Sequence, residues 1–303
     1  MWVYYAWIAA VARAVKDLFW KDALDASPTG ALEATFLFWL CALVFLAPFA
    51  FATGMYFRQR GGRETVQSWV AFRWANISAL CNVVAYWMFM EALRRGDLST
   101  ALPLRETVPI FALFIGVARG LPVSRMVFIS VPLVLGGVYL LHLDQGAQSI
   151  EMQVQAVISS TLAFIAAGIF ALAALCDQRA MSPDYGGMHP ALYAMILVGI
   201  TEVWYTIGVF GLGKQAETLA LFSRTPWWQL SSIGALGALG TVFTAAALRA
   251  GPLVEVVVSL RAKVLLGVLL GGVVLQEAGL VTRLIGGGLL MAGVVLAAVK
   301  PRR

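Results

Sequence analysis

The sequence has little charge, little histidine and almost no cysteine. Lys, Arg, Asp and Glu supply 13% of its 303 residues, about half the share of a soluble domain. That scarcity argues against a soluble enzyme, a nucleic-acid-binding domain or a secreted globular domain. The two histidines, His142 and His189, stand apart at the ends of apolar runs. With no HExxH, no paired-Asp loop motif and no Ser/His arrangement, an integral membrane enzyme is disfavoured as well, and the chain is expected not to be an enzyme. Cys41, Cys81 and Cys176 are odd in number and lack the short spacing of a metal site. They read as small core residues, so no metal and no cofactor are expected. No basic n-region follows Met1, so no cleavable signal peptide is expected.

What the sequence has in abundance is apolar length: 60% of residues are hydrophobic and the mean hydropathy is +0.83. Stretches of about 20 apolar residues, each enough to cross ~30 Å of hydrocarbon, recur from end to end. Reading them with their Gly and Pro breakers predicts ten helices, at 2–20, 31–57, 67–93, 97–118, 123–142, 152–176, 188–212, 227–249, 252–274 and 279–299. The expectation is an all-α polytopic membrane protein. Arg58, Arg60, Arg63, Arg119, Arg125, Arg179, Arg249, Lys300, Arg302 and Arg303 fall in loops on one side, against Lys21, Arg94, Arg95, Lys214, Arg224 and Arg283 on the other. The bias puts both termini in the cytoplasm of a multi-pass protein of the plasma (inner) membrane. The net charge of +6 reflects those loops and carries no functional weight by itself.

The two halves match at a shift of 155 to 156 residues. Ala92-Leu93-Arg94-Arg95-Gly96-Asp97-Leu98 lines up with Ala247-Leu248-Arg249-Ala250-Gly251-Pro252-Leu253, with five identities in seven. Leu104 to Leu140 then aligns with Leu260 to Leu296 and keeps eleven of 37 positions, including Arg105 with Arg261, Gly116 with Gly272 and Gly137 with Gly293. The same shift pairs Asp22 with Asp177 and Ser27-Pro28 with Ser182-Pro183. A first five-helix repeat is expected over 1–143 and a second over 152–303, joined by a loop at 144–151. Five helices is an odd number, so the repeats are inverted. Such repeats place a substrate site near the midplane where they meet.

Ala-Leu-x-x-Gly-x-Leu closing the third helix of each repeat, Leu-Arg in the fourth and Gly-Val-x-Leu closing the fifth resemble the drug/metabolite transporter superfamily, and within it the EamA-type ten-helix permeases. The second half keeps an acidic Glu277 after its ninth helix, where family members often carry Gly-Glu; the first half has Gly120-Leu121-Pro122 there. The resemblance implies a secondary transporter, often an exporter, of small metabolites or amphipathic compounds, with a cavity lined by the first four helices of each repeat.

An ionisable residue inside a span is costly and is by default a functional candidate. Arg13, Lys16 and Asp17 cluster in the first helix, followed by Trp20. Asp17 can pair with Arg13 or Lys21 four residues away, whereas Lys16 needs a partner from another helix or a ligand. Arg105 and Arg261 lie about 12 to 14 Å into their helices, close to the midplane. They, Lys263, Glu106 and Glu255 have no opposite charge three or four residues away. Cross-helix bridges from Arg105 to Glu255 and from Arg261 to Glu106 would satisfy them structurally. Ser78, Asn82 and Tyr86 share a face of the third helix, and Thr241 and Thr244 lie on the eighth. Arg13, Lys16, Trp20, Asn82, Tyr86, Arg105, Arg261 and Lys263 are therefore candidate substrate contacts. Asp17, Glu106, Glu202 and Glu255 are candidates for coupling or gating, Asp17 and Glu202 with a proton as the coupling ion.

The basic excess favours amino acids or other small zwitterionic or anionic metabolites, carried by alternating access in a monomer or homodimer. The alternatives are a sugar-phosphate or organic-anion exchanger of the same superfamily, and a lipid flippase or membrane scaffold with no central charged site.

Overall fold

The computed structural model describes residues 2–25, 30–59, 69–108, 110–111, 114–115, 127–143, 150–181, 189–250, 256, 260, 263–276 and 279–298. Among them every element is helical: α1 (Trp2–Asp25), α2 (Ala31–Gln59), α3 (Trp69–Arg95), α4 (Leu98–Arg105), α5 (Val127–Leu143), α6 (Ile150–Met181), α7 (Pro190–Gly211), α8 (Gln215–Arg224), α9 (Trp227–Ala250), α10 (Lys263–Val274) and α11 (Leu280–Ala298). Four helices are long and apolar enough to cross a membrane, in α2 (Ala31–Pro48), α6 (Gln153–Met181), α7 and α9. The outward surface is apolar, with Val44, Ile77, Val84, Val203, Ile207 and Phe210 exposed, as lipid rather than water requires. Exposed Tyr4 and Trp69 at the starts of α1 and α3, and Trp227 at the start of α9, suit the two water interfaces.

Besides α1, which runs to Asp25 and not to residue 20, three elements differ from the sequence expectation. The helix expected at 152–176 begins at Ile150 and continues to Met181, because charged Asp177 and Arg179 end the apolar run without ending the backbone ladder. The span expected at 97–118 is interrupted: α4 ends at Arg105, turns follow at Glu106 and Thr107, and the described residues beyond them, 108, 110–111 and 114–115, are helical again. Glu106 N–H is shared between the carbonyls of Leu102 and Pro103, and Thr107 N–H donates to Leu104. The third difference is α8, a short helix where a loop was expected. Gly213, at φ +68°, ends α7 in the left-handed conformation that glycine adopts without strain, and α8 then lies across α2 and α7. Outside the spans, the Lys214 ammonium is raised above its ordinary range chiefly by donating to Glu217 Oε1 at 2.6 Å.

Small residues set the closeness of packing. Ala6, Ala9, Ala10 and Ala14 of α1 are fully buried, on the helix that packs along α9. On α9, Gly234 abuts the Cys41 backbone of α2, Gly237 the Phe38 ring and Gly240 the Arg13 stem. Ala71, Ala75 and Ala79 of α3 are buried in one cluster with Ala180 and Met181 of α6. At the far side α5 and α11 form a pair. A Cβ on Gly137 would lie 2.6 Å from the Gly286 carbonyl and 2.7 Å from Leu290 N; one on Gly293 would lie 2.7 Å from the Ser130 carbonyl and 3.0 Å from Val134 N.

Backbone cannot yield as a flexible side chain can. Gly137→Ala and Gly293→Ala are each expected to cost about 1–3 kcal/mol by overpacking. The check is the apparent unfolding temperature in detergent, which should fall for both; an unchanged temperature for both would contradict the close approach.

Candidate functional site

Arg105 is placed by the early end of α4, which aims its guanidinium at α1 instead of along its own helix. Nη2 donates to Asp17 Oδ2 at 2.9 Å and Nε to the neighbouring Glu106 Oε1 at 2.8 Å. Lys16 Nζ lies 2.9 Å from Asp17 Oδ1, and Lys263 Nζ of α10 lies 2.7 Å from Glu106 Oε1. The result is a continuous buried chain, Lys16–Asp17–Arg105–Glu106–Lys263, across α1, the end of α4 and α10. Its five members are at most 4% exposed. Among the described residues of this chain three cations face two carboxylates, a formal excess of one positive charge.

Aromatic rings carry part of that excess. Lys16 Nζ sits 4.5 Å from the Phe38 ring centre and 5.3 Å from that of Tyr86; the Arg105 guanidinium is 3.9 Å from the Phe89 ring centre. A cation over a desolvated ring gains about 1–2 kcal/mol. The aromatic face does not complete the hydrogen bonding of Arg105: Nη1, buried, has no partner among the described residues.

Beside this chain lies a cavity of about 80 Å³ lined by Arg13, Asn82, Tyr86, Arg105, Glu106, Val108, Phe170, Ala173, Ala174, Asp177, Thr244, Leu248, Leu260 and Lys263. A polar space of this size admits several waters or a small charged group. It extends from the middle of the bundle toward the end where α6 and α9 finish. Cross-helix bonds hold the opposite end together. Lys21 Nζ donates to the Leu93 carbonyl at 3.0 Å, Gln229 Nε2 to the Phe19 carbonyl and to Asp22 Oδ2, both at 3.0 Å, and Arg283 to Ser99 Oγ and, at 2.6 Å, to Asp97 Oδ2.

Of the residues singled out in the sequence, Arg13, Asn82, Tyr86, Arg105, Glu106 and Lys263 converge on the cavity. Lys16 and Asp17 are fully enclosed within the charged chain. Trp20 is elsewhere, packed 5.8 Å from the Phe38 ring in the closed end. Glu202 is buried in α7 away from the cavity, and neither of its carboxylate oxygens has a partner among the described residues. Arg261 and Glu255 lie outside the described residues, and with them the bridges expected from Arg105 to Glu255 and from Arg261 to Glu106.

Several pairings need correction. Asp17 pairs with its neighbour Lys16 and, across helices, with Arg105, while Lys21 takes the other acid four residues away on its own helix, Asp25 at 2.6 Å. Arg283, counted as a loop cation, is buried and bonded to Asp97 and Ser99. Glu91 is held by Arg94 and Arg95, each at 2.6 Å. His189 caps α7, its Nδ1 accepting from Ala191 N–H at 3.3 Å. Sequence reading missed Asp177 as a site residue. Its match to Asp22 in the other half was the available signal, obscured because the apolar run stops at Cys176.

Neutralising Asp17 strands two buried cations and is expected to cost about 3–5 kcal/mol, whereas Glu202→Gln removes a carboxylate that holds nothing. Thermal unfolding should therefore separate them, with Asp17→Asn strongly destabilised and Glu202→Gln close to wild type. The reverse order would contradict the pairing.

Residues 1–143 match the family model of the EamA-like transporter family, consistent with the drug/metabolite transporter superfamily. No curated protein matches the sequence. Thirteen chains of solved structures match in fold. One of them, described as "Crystal structure of protein", is 17% identical with a TM-score of 0.60, covering 98% of this chain and 96% of its own. That likeness is one of fold alone.

Proposed function

We propose, from the premise that residues 1–143 match the EamA-like transporter family, that this chain is a secondary active transporter moving small zwitterionic or anionic metabolites by alternating access. The observation that carries the reading is Arg105: a nearly fully buried guanidinium that fronts a central cavity, with one nitrogen lacking a partner, in a charged chain with one positive charge in excess. An anionic group entering the cavity would meet that nitrogen with its water already removed, where a charge-assisted hydrogen bond is strongest.

The reading includes ten spans arranged as two inverted repeats, 1–143 and 152–303. Packing supports it. The Gly137 contact with residues 286 and 290 and the Gly293 contact with residues 130 and 134 are one contact made twice, each residue related to its counterpart by 156. Asp22 of α1 accepts from Gln229 of α9, and Asp177 of α6 accepts from Ser78 of α3. That too is the same relation with the halves exchanged: an acid on a repeat's first helix bonded to the third helix of the other repeat. A self-complementary contact of this kind is what a two-fold relation produces. Transport would alternate between the closed end, clasped by Lys21, Gln229 and Arg283, and the end toward which the cavity extends. With both termini cytoplasmic in the plasma membrane, the cavity faces the cytoplasm, as an exporter loading its substrate requires.

A sugar-phosphate or organic-anion exchanger is less well supported. Arg13, Arg105 and Lys263 line the cavity, but Glu106 and Asp177 share it, which leaves too little positive charge for a dianion. For a coupling proton Glu202 is the better candidate, because Asp17 is committed to two cations. A lipid-flipping scaffold would not depend on the buried charges.

The reading is tested in proteoliposomes. A thermal-shift screen of amino acids, organic phosphates and quaternary amines identifies the ligand, since binding to the folded state raises apparent stability. Arg105→Ala, reconstituted at wild-type level, should then lose transport by at least about tenfold; full transport would overturn the site. If protons couple, an imposed pH gradient should drive uptake in wild type and not in Glu202→Gln, and a gradient without effect on wild type removes that part.

A further inference from the structure

The cavity wall carries a second carboxylate besides Glu106, on a different helix. Asp177, half-buried on α6, lines the cavity, and its Oδ1 accepts hydrogen bonds from Ser78 Oγ of α3 and Tyr193 Oη of α7. Ser78 Oγ accepts in turn from Asn82 Nδ2 at 3.2 Å, and Asn82 Nδ2 also donates to the Ser78 carbonyl at 2.9 Å. Ser78 and Tyr193 are buried, so three helices fix where this carboxylate stands. Both donors serve one oxygen, and an ionised carboxylate offers about four acceptor positions. Two hydroxyls orient the charge without cancelling it.

The remaining charges of the cavity are unevenly placed. Glu106 engages Arg105 and Lys263 at one side, while Asp177 stands on α6 with Arg13 of α1 as a further cation on the wall. A simple carboxylate bound at Arg105 would leave Asp177 facing a second negative charge. A simple cation would meet three basic residues. A molecule with an acidic group at one end and an ammonium at the other satisfies Arg105 and Asp177 together.

We propose that Asp177, oriented by Ser78 and Tyr193, is the subsite that binds the ammonium of a zwitterionic substrate whose acidic group is held by Arg105. This rests on the reading of the cavity as the substrate site. If Asp177 served only as a structural partner of Arg13, its removal would lower stability without changing which ligands bind.

The test compares matched probes, leucine with 4-methylpentanoate and glutamine with 4-carbamoylbutanoate, by equilibrium binding to the purified full-length protein. Each pair differs only in the amine. Wild type should bind the amine-bearing member of at least one pair roughly tenfold or more tighter, because a site built for a hydrogen-bonding group rejects the analogue that lacks it. Asp177→Asn should abolish that preference by weakening the amino acid about tenfold while leaving the desamino acid within a few-fold, and Asp177→Glu should restore part of it. Equal weakening of both members, an unchanged preference, or no wild-type response to either amino acid would overturn the proposal. Should Asp177→Asn fail to fold, the wild-type preference and the Asp177→Glu comparison still decide it. Arg105→Ala separates the two readings. If it binds both members as wild type does, the cavity reading falls and the amine subsite with it. If it weakens both while Asp177→Asn leaves the preference intact, only the amine subsite falls.

Discussion

Arg105 held between Asp17 and Glu106 is the interaction on which the rest of the structure depends. In a low-dielectric interior a lone guanidinium is too costly to bury, and so is a lone carboxylate. Each becomes tolerable only because the other is held at hydrogen-bond distance, and the chain then extends to Lys16 and Lys263. These residues come from both ends of the sequence, so the charges can assemble only when α1, α4 and α10 meet. Among the described residues the Arg105 Nη1 nitrogen is left without a partner, and that donor is what a ligand can complete.

Packing around this chain is rigid where the site needs support. Alanine on α1 and α3 and glycine on α9, α5 and α11 bring helices so close that a methyl group has no room at several contacts. With little hydrophobic drive between helices in lipid, such close packing supplies the association energy. The end of α4 is the exception. There turns at Glu106 and Thr107 interrupt the helix beside Arg105, so the irregular backbone coincides with the charged site, the setting in which membrane transporters tolerate it.

The sequence revealed more of the architecture than of the pairing. Apolar length marked the helices, and the 156-residue shift singled out Gly137 and Gly293, each of which lies in a close helix contact. Arg105, with no acid three or four residues away, reaches across helices to Asp17 but also bonds its chain neighbour Glu106. Its partner was not legible, because Asp17 had two plausible neighbours on its own helix and nothing in one dimension shows that α4 ends early enough to turn Arg105 toward α1. Asp177 was missed for a related reason: hydropathy stops counting at the first charge, whereas the helix continues as long as its hydrogen bonds do. Arg283 and α8 were read as loop because polar residues near span ends resemble connections until packing shows what they bond.

The most direct measurement is ligand-induced stabilisation in the double variant Asp17→Asn, Arg105→Gln. Removing both members of the pair leaves Lys16 as the one cation that loses its carboxylate, whereas Asp17→Asn alone also takes a carboxylate from Arg105, so the protein should unfold at a higher temperature than Asp17→Asn alone. With the leftover donor gone, the rise in unfolding temperature that the identified ligand gives wild type should disappear. A double variant that folds and retains the full rise would contradict the claim that Arg105 both closes the buried chain and receives the substrate.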